Sequence, residues 1–335
     1  MLPLLDQASK ELWARFTPKG KVDVEGDVKC RVGSSGSPRT DFSLRIGLHD
    51  VSLVSGVKGE EILGSASLLG FREGSLSRFE GDVQLRSLKI LGQRLRDVEG
   101  MFLKEGNLFA LHNLSGKIYG GTFEGTARVR LSEPILFGGE ATITEMQLEP
   151  LAREAFGYEN PNVEGKISGR ISLQGRGTDP ANLVARGELE VRDAKLWELP
   201  VVLSMLNLLN LSLPERTAFR EASLKYSILN EEALIEEIAL KGRAISIYGH
   251  GTMGPAGRLD FNFVTGVGPS FLYVPILSDL AREFQHQVAE LSVVGTFVRP
   301  ETRLEARGPL SWPLQALSNI FSKHPSKVPE KENIQ

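Results

Sequence analysis

The sequence predicts a mainly β protein, antiparallel throughout, with a few short capping helices. A phrase of an apolar residue, Glu and Gly recurs as Val24-Glu25-Gly26, Phe79-Glu80-Gly81, Val98-Glu99-Gly100, Phe123-Glu124-Gly125 and Val163-Glu164-Gly165. Around each copy, apolar and polar residues alternate. After the last, Val163, Gly165, Ile167, Gly169, Ile171 and Leu173 take one parity, while Glu164, Lys166, Ser168, Arg170, Ser172 and Gln174 take the other. Period two is the signature of a strand with one greasy and one charged face. The segments between these runs are too short for helical crossovers, so neighbouring strands must run antiparallel.

Along the chain, residues 1–16 read as an amphipathic helix, with Leu4, Leu5, Ala8, Leu12 and Trp13 at helical spacing and Pro18 and Gly20 ending it. Residues 17–147 form an antiparallel meander, including Phe42 to Ile46, Phe79 to Arg86, Phe123 to Leu131 and Glu140 to Met146. Gly33 to Pro38 supplies a flexible turn. Residues 148–308 open with a helix over Leu148 to Tyr158 and continue as strands Val163 to Gly175 and Leu183 to Leu196. An apolar helix over 199–211 follows, stopped by Pro214, with Leu203, Leu206 and Leu209 as a gate or cap. Alternation resumes at Leu224 to Ile228, Ile245 to Ile247 and Leu259 to Phe263. Glu231 to Leu240 carries both helical spacing and flanking strand patterns, and is read as a strand. A helix over Ile276 to Glu290, strands over Leu291 to Phe297 and Thr302 to Ala306, a helix within 309–323 and a disordered tail over 324–335 complete the expectation.

So few helices cannot cover so much sheet. Three solutions remain: a sandwich, a closed barrel, or a curled gutter that holds apolar ligand. The long curled sheet is the reading adopted. Its inward-facing residues are expected to be Phe123, Val129, Leu131, Val163, Ile167, Ile171, Leu173, Leu224, Tyr226, Ile245, Ile247, Phe261 and Phe263.

Charged residues make up 24% of the 335 residues yet leave a formal net charge of only −3, which gives nucleic acid no electrostatic footprint. Cys30, the only cysteine, falls in phase with Val24, Val28 and Val32 and is expected to be a buried thiol. No stretch reaches the ~20 apolar residues of a bilayer-crossing helix, so any membrane anchor is expected outside this chain. The five histidines, His49, His112, His250, His286 and His324, are dispersed without metal-ligand spacing, and His250 is expected to be solvated on a polar face. Gly249-His250-Gly251-Thr252-Met253-Gly254 has dinucleotide-loop spacing, but Pro255-Ala256-Gly257 leads into a strand and no helix receives a pyrophosphate, so a hairpin is expected. Glu231-Glu232 and Glu236-Glu237 read as a solvated face, and the Asn113 and Asn210 glycosylation patterns read as chance. No nucleophile, base and oxyanion set is legible, so neither an enzyme nor a cofactor is expected.

The run Leu114-Ser115-Gly116-Lys117-Ile118-Tyr119-Gly120-Gly121-Thr122-Phe123-Glu124-Gly125 resembles the "G-x-x-Y-G-G" strand of AsmA-like C-terminal regions. Val163 to Gly175 is similar to that family's glycine-punctuated strand, and Leu199 to Phe219 to its apolar helix followed by "L-P-x-R-T-A-F". The likeness runs from about Phe102 to Arg307. It implies relatives of TamB and YhdP: bacterial envelope proteins, on the periplasmic side, with a taco-shaped β-sheet and an apolar groove. It further implies phospholipid as ligand, the inner and outer membranes as partners alongside other envelope proteins, and a role in intermembrane lipid transport and envelope maintenance. The alternative is an assembly factor for outer-membrane proteins that works by strand pairing at a sheet edge.

Overall fold

The computed structural model describes residues 19–33, 36–55, 57–74, 76–90, 92–156, 163–177, 179–196, 199–208, 219–242, 245–267, 289–297 and 299–304. Within them the chain is one antiparallel sheet of 16 strands, each hydrogen-bonded to its neighbours in sequence. The first group comprises β1 (Lys19–Val32), β2 (Pro38–Ser55), β3 (Val57–Glu73), β4 (Leu76–Ile90), β5 (Gln93–Glu105), β6 (Leu108–Ile118), β7 (Gly121–Arg130) and β8 (Leu136–Gln147). Helix α1 (Leu148–Phe156) precedes β9 (Glu164–Arg176) and β10 (Val184–Lys195). Helix α2 (Pro200–Leu208) precedes β11 (Glu221–Leu229), β12 (Glu232–Lys241), β13 (Ile245–Met253), β14 (Arg258–Val267), β15 (Ala289–Thr296) and β16 (Pro300–Leu304). The curled single sheet, rather than a sandwich or a barrel, is the architecture: β1 and β16 are its two edges.

Strand length tapers from 18 residues in β2 to 5 in β16. The ambiguous segment Glu231 to Leu240 is strand β12, entered through a turn whose central residues, Asn230 and Glu231, have φ of 52° and 62°. Two consecutive left-handed residues make the hairpin turn whose twist matches that of the flanking strands. Strand β3 has no counterpart in the sequence reading. Its run of Gly, Ser and Ala weakens the alternation, and the ladder shifts register between Glu60 and Leu63, which breaks the parity midway. The expected helices at 1–16, 276–290 and 309–323, and the tail, lie outside the described residues.

Curvature comes from a series of bulges. Register shifts fall beside Asp50, Glu61, Asp97, Asn113, Glu145 and Asp193, each with φ between 48° and 52°. Asp and Asn tolerate the left-handed region better than most residues, and each extra residue bends its strand and increases the local twist. Asn113, read from its tripeptide as a chance sequon, is one of these bends.

The curl can be measured through α2. A flat sheet would hold β16 about 29 Å from β10 at ~4.8 Å per strand. The chain from Leu196 to Ser204 reaches about 18 Å at most, since its helical part rises only ~1.5 Å per residue. Yet Ser204 Oγ lies 2.6 Å from Thr302 Oγ1 on β16. The C-terminal strands therefore wrap around α2, with their apolar side inward.

Candidate functional site

Cross-strand register shows that apolar residues share one face from edge to edge. One rung runs Val24, Ile46, Ala66, Val83 and Gly100 across β1 to β5. Another runs from Gly125 through Ala141, Ile171, Gly187 and Tyr226 to Ile235, and on through Gly251, Phe261 and Val293 to Thr302. The opposite face carries cross-strand ion pairs such as Lys117 with Asp97 at 2.8 Å and Lys166 with Glu145 at 3.2 Å. Exposed pairs of this kind contribute little to stability, but they keep that face wetted.

Glycine and aromatic side chains alternate across the ladder on the apolar face. A Cβ on Gly187 would meet the Tyr226 ring at 2.5 Å, one on Gly251 would meet Phe261 at 2.6 Å, and one on Gly116 would meet Phe123 at 2.7 Å. Gly175 stands in the same relation to Phe137 and Gly249 to Phe263. Each ring therefore lies across its neighbour's bare backbone, which smooths the face as well as stiffening it. Gly249 and Gly251 belong to the stretch with dinucleotide-loop spacing; they are strand residues of β13 running under aromatic rings, followed by a turn into β14.

The face is covered unevenly. Helix α1, through Leu148 and Ala152, and α2, through Val202, Met205 and Leu206, join a core with Ile143, Ile167, Ile247, Phe263, Leu291 and Val293. Phe219, which ends the family-like "L-P-x-R-T-A-F" run, is wholly buried in the same core. Over β1 to β7 the apolar side chains are half-buried or exposed, apart from Phe102, Ala110 and a small cluster of Val51, Ile62, Leu85 and Val98 beside the bulges.

The sequence-predicted lining residues divide along this boundary. Phe123, Val129, Ile171, Leu173, Leu224 and Tyr226 are half-buried on the apolar face. Leu131 lies just past the end of β7, its N–H donating to the Asn107 carbonyl at 2.7 Å. Val163, Ile167, Ile247, Phe261 and Phe263 are buried and packed in the helix-capped core. Ile245 lies on β13, opposite Val267. Of the cap residues, Leu206 is buried, Leu203 is exposed, and Leu209 lies outside the described residues.

Two single-residue expectations are corrected. Cys30 is exposed, because β1 is an edge strand and nothing described covers its apolar side. His250 is half-buried, because the second face of the sheet is also packed at β12 to β14, where Ala239, Ser246 and Val264 are buried. Burial pushes the His250 imidazole below its ordinary pKa of 6.5. The Glu231-Glu232 and Glu236-Glu237 pairs are exposed, as expected.

Sequence reasoning overlooked an aromatic row at the other end of the strands. Rings of Phe42 and Phe79 lie 6.1 Å apart, Phe79 and Phe102 6.3 Å, and Phe102 and Phe109 5.6 Å. Lys104 pairs with Phe79 and so shares their face. Its ammonium sits 5.2 Å over the Phe79 ring and donates to Ser77 Oγ at 2.6 Å and to the Gly106 carbonyl at 2.8 Å. Burial, and then the charge of Arg72, hold the Lys104 pKa below the usual lysine range. The available signal was parity, since Lys104 is in phase with Val98, Gly100 and Phe102.

An open depression of about 610 Å³ lies elsewhere, lined mainly by residues of the polar face, among them Ser115, Glu124, Thr126, Glu140, Thr142 and Arg170. Among the described residues no group of three His, Cys, Asp or Glu is placed to hold a metal ion, and no helix is long and apolar enough to cross a membrane. Comparison with protein-family models, curated proteins and solved structures finds no match to any of them.

Proposed function

We propose that this chain is a lipid-binding module of AsmA-like type, guiding phospholipid along its apolar trough between the membranes of a bacterial envelope. The observation that carries the reading is the single apolar face, continuous in register over 16 strands and, across β1 to β7, left mostly half-buried or exposed. Seven strands at ~4.8 Å spacing give about 29 Å of open trough, roughly twice the ~15 Å depth of one leaflet's hydrocarbon. Each methylene removed from water contributes about 0.8 kcal/mol, so a tail laid along this face recovers much of what it loses on leaving a bilayer. Sliding along the trough needs no bond making, only a surface without deep side-chain pockets, and the rings laid flat over glycines provide one. The AsmA-like motifs quoted from the sequence point the same way, towards the periplasmic side of the envelope.

Edge-strand pairing is the second reading, and one observation favours it: β1 is exposed along all 14 of its residues and its outer edge has no ladder partner among the described residues. Mass spectrometry of an organic extract from the gently purified protein separates the two. Near-stoichiometric phospholipid is expected for the groove. Absence of lipid, together with binding of unfolded β-barrel segments, would favour the assembly factor.

A further inference from the structure

Edge strands are commonly blunted by short length, proline or charge. Strand β1 is 14 residues long, contains no proline and is exposed throughout, so charge alone guards it. Those charges come in blocks. On its polar face stand Lys21, then Asp23, Glu25 and Asp27, then Lys29 and Arg31. Arg31 is bridged to Asp41 at 2.8 Å and Asp23 lies 2.7 Å from His49 Nε2, whereas among the described residues no ion pair engages Glu25, Asp27 or Lys29. Blocks of sign select a register when two copies of this strand run antiparallel. Apolar residues meet apolar ones only where the pairing is centred on a residue, since a one-residue slip turns one copy over. Every such register centred from Asp23 to Asp27 sets at least one pair of like charges directly opposite, which is destabilising; the longest overlap, centred on Glu25, puts Lys21 on Lys29 and Asp23 on Asp27. Centred on Val28, the pairing puts Asp27 on Lys29 and Glu25 on Arg31, each twice, and opposes no like charges. Its apolar side pairs Val28 with Val28 and Val24 with Val32. A register centred on Val22 is also free of like pairs, but it is shorter and runs through the irregular ladder between Lys19 and Lys21.

We propose that β1 pairs with β1 of a second copy of this chain, antiparallel about a two-fold axis at Val28, so that two sheets become one. A second copy fits because it brings the same blocks of charge in reverse order, and the pairing supplies about nine backbone hydrogen bonds to an edge that has no ladder partner among the described residues. Val24 and Val28 lie on the same side as Ile46, Ala66 and Val83, so the two apolar faces join on one side of the enlarged sheet. The open halves then meet at the axis and the helix-capped halves lie at the far ends. Fourteen open strands at ~4.8 Å spacing make a trough of about 60 Å. Pairing engages the backbone edge, so the side chains of the apolar face, Cys30 among them, stay open to solvent. The proposal stands apart from the lipid reading, because its test reads association rather than lipid and either can fail alone.

Sedimentation velocity on the full chain provides the test. Wild type is expected to form a concentration-dependent dimer that loosens at high salt. Asp27→Lys and Lys29→Glu should each weaken it by about tenfold, since each turns two opposed pairs into like pairs. An equimolar mixture of the two variants should regain wild-type affinity, because opposite charges face each other again in the mixed dimer, and a mere folding defect would not be repaired by mixing. Val28→Cys should yield a disulfide-linked dimer on mild oxidation, as directly opposed strand positions lie within disulfide reach. Wild type should not, because Cys30 falls opposite Gly26 and the two Cys30 residues stand four positions, roughly 14 Å, apart. A chain that stays monomeric at its highest soluble concentration would overturn the proposal, and binding of unfolded β-barrel segments by that monomer would give the edge to the assembly-factor reading. A dimer indifferent to both charge variants, one not restored by mixing them, or one that Val28→Cys fails to link would overturn it as well.

Discussion

The two halves of the sheet are built from the same alternation and end in different states. In β1, Val28 is 58% exposed and Val32 77% exposed; in β13 and β15, the in-phase residues Ile247 and Val293 are 0% exposed. What separates them is not strand composition. Two nine-residue helices, α1 and α2, are inserted after β8 and β10, and the C-terminal strands wrap around the second. Around the two helices the apolar face is a continuous core; across β1 to β7 its burial is limited to Phe102 and the cluster at the bulges. Apolar side chains left exposed in register are candidate interaction surfaces, which is the ground of the groove proposal.

The contrast can be broken by truncating side chains in both halves. Met205→Ala, which removes a fully buried side chain between α2 and the sheet, should cost about 2–5 kcal/mol in urea unfolding. Val28→Ala should cost less than about 0.5 kcal/mol. Equal losses would mean the halves are packed alike. Filling a glycine beneath a ring sharpens the comparison next: Gly187→Ala must displace Tyr226 and should cost about 1–3 kcal/mol.

Acid provides a smaller, directional effect. The half-buried His250 has a folded-state pKa below its unfolded value near 6.5, so unfolding favours its protonation. The stability that comes from keeping it neutral is fully present above pH 6.5 and drains away as pH falls through that value towards the lower folded pKa. His250→Gln should therefore flatten the decline in melting temperature on acidification, without altering the behaviour of β1 to β7. The smallest effect is a labelling rate. Cys30 should react with a thiol reagent in the native protein almost as fast as in urea, and strong protection would show that β1 is covered in solution.

Much of the fold was legible because the physics behind it is local. The pleat sends successive side chains to opposite faces, so Ile167, Ile171, Leu224, Ile247 and Phe263 could be assigned to one face from spacing alone. The strand assignment of β12 was legible from its context, since one helix among paired strands would leave two ladders unpartnered. The bulges were not legible, because a left-handed Asp97 or Glu145 reads as one more polar residue in the alternation. Parity counted across a bulge goes astray, and β3 was lost in that way. Lys104 was missed because attention to apolar residues passed over a lysine lying in phase with them.

Sequence alone determined that this chain makes strands with one wetted and one dry face, since period two is enforced residue by residue by backbone geometry. Tertiary structure alone decided which part of the dry face is filled and which is left open. That outcome depends on contacts between residues far apart in the chain, Ser204 meeting Thr302 and Met205 meeting the strands around it, and on the sum of bends at separate bulges. The same reason exposes Cys30 and half-buries His250: burial belongs to the neighbours a residue acquires, not to its phase in the pattern.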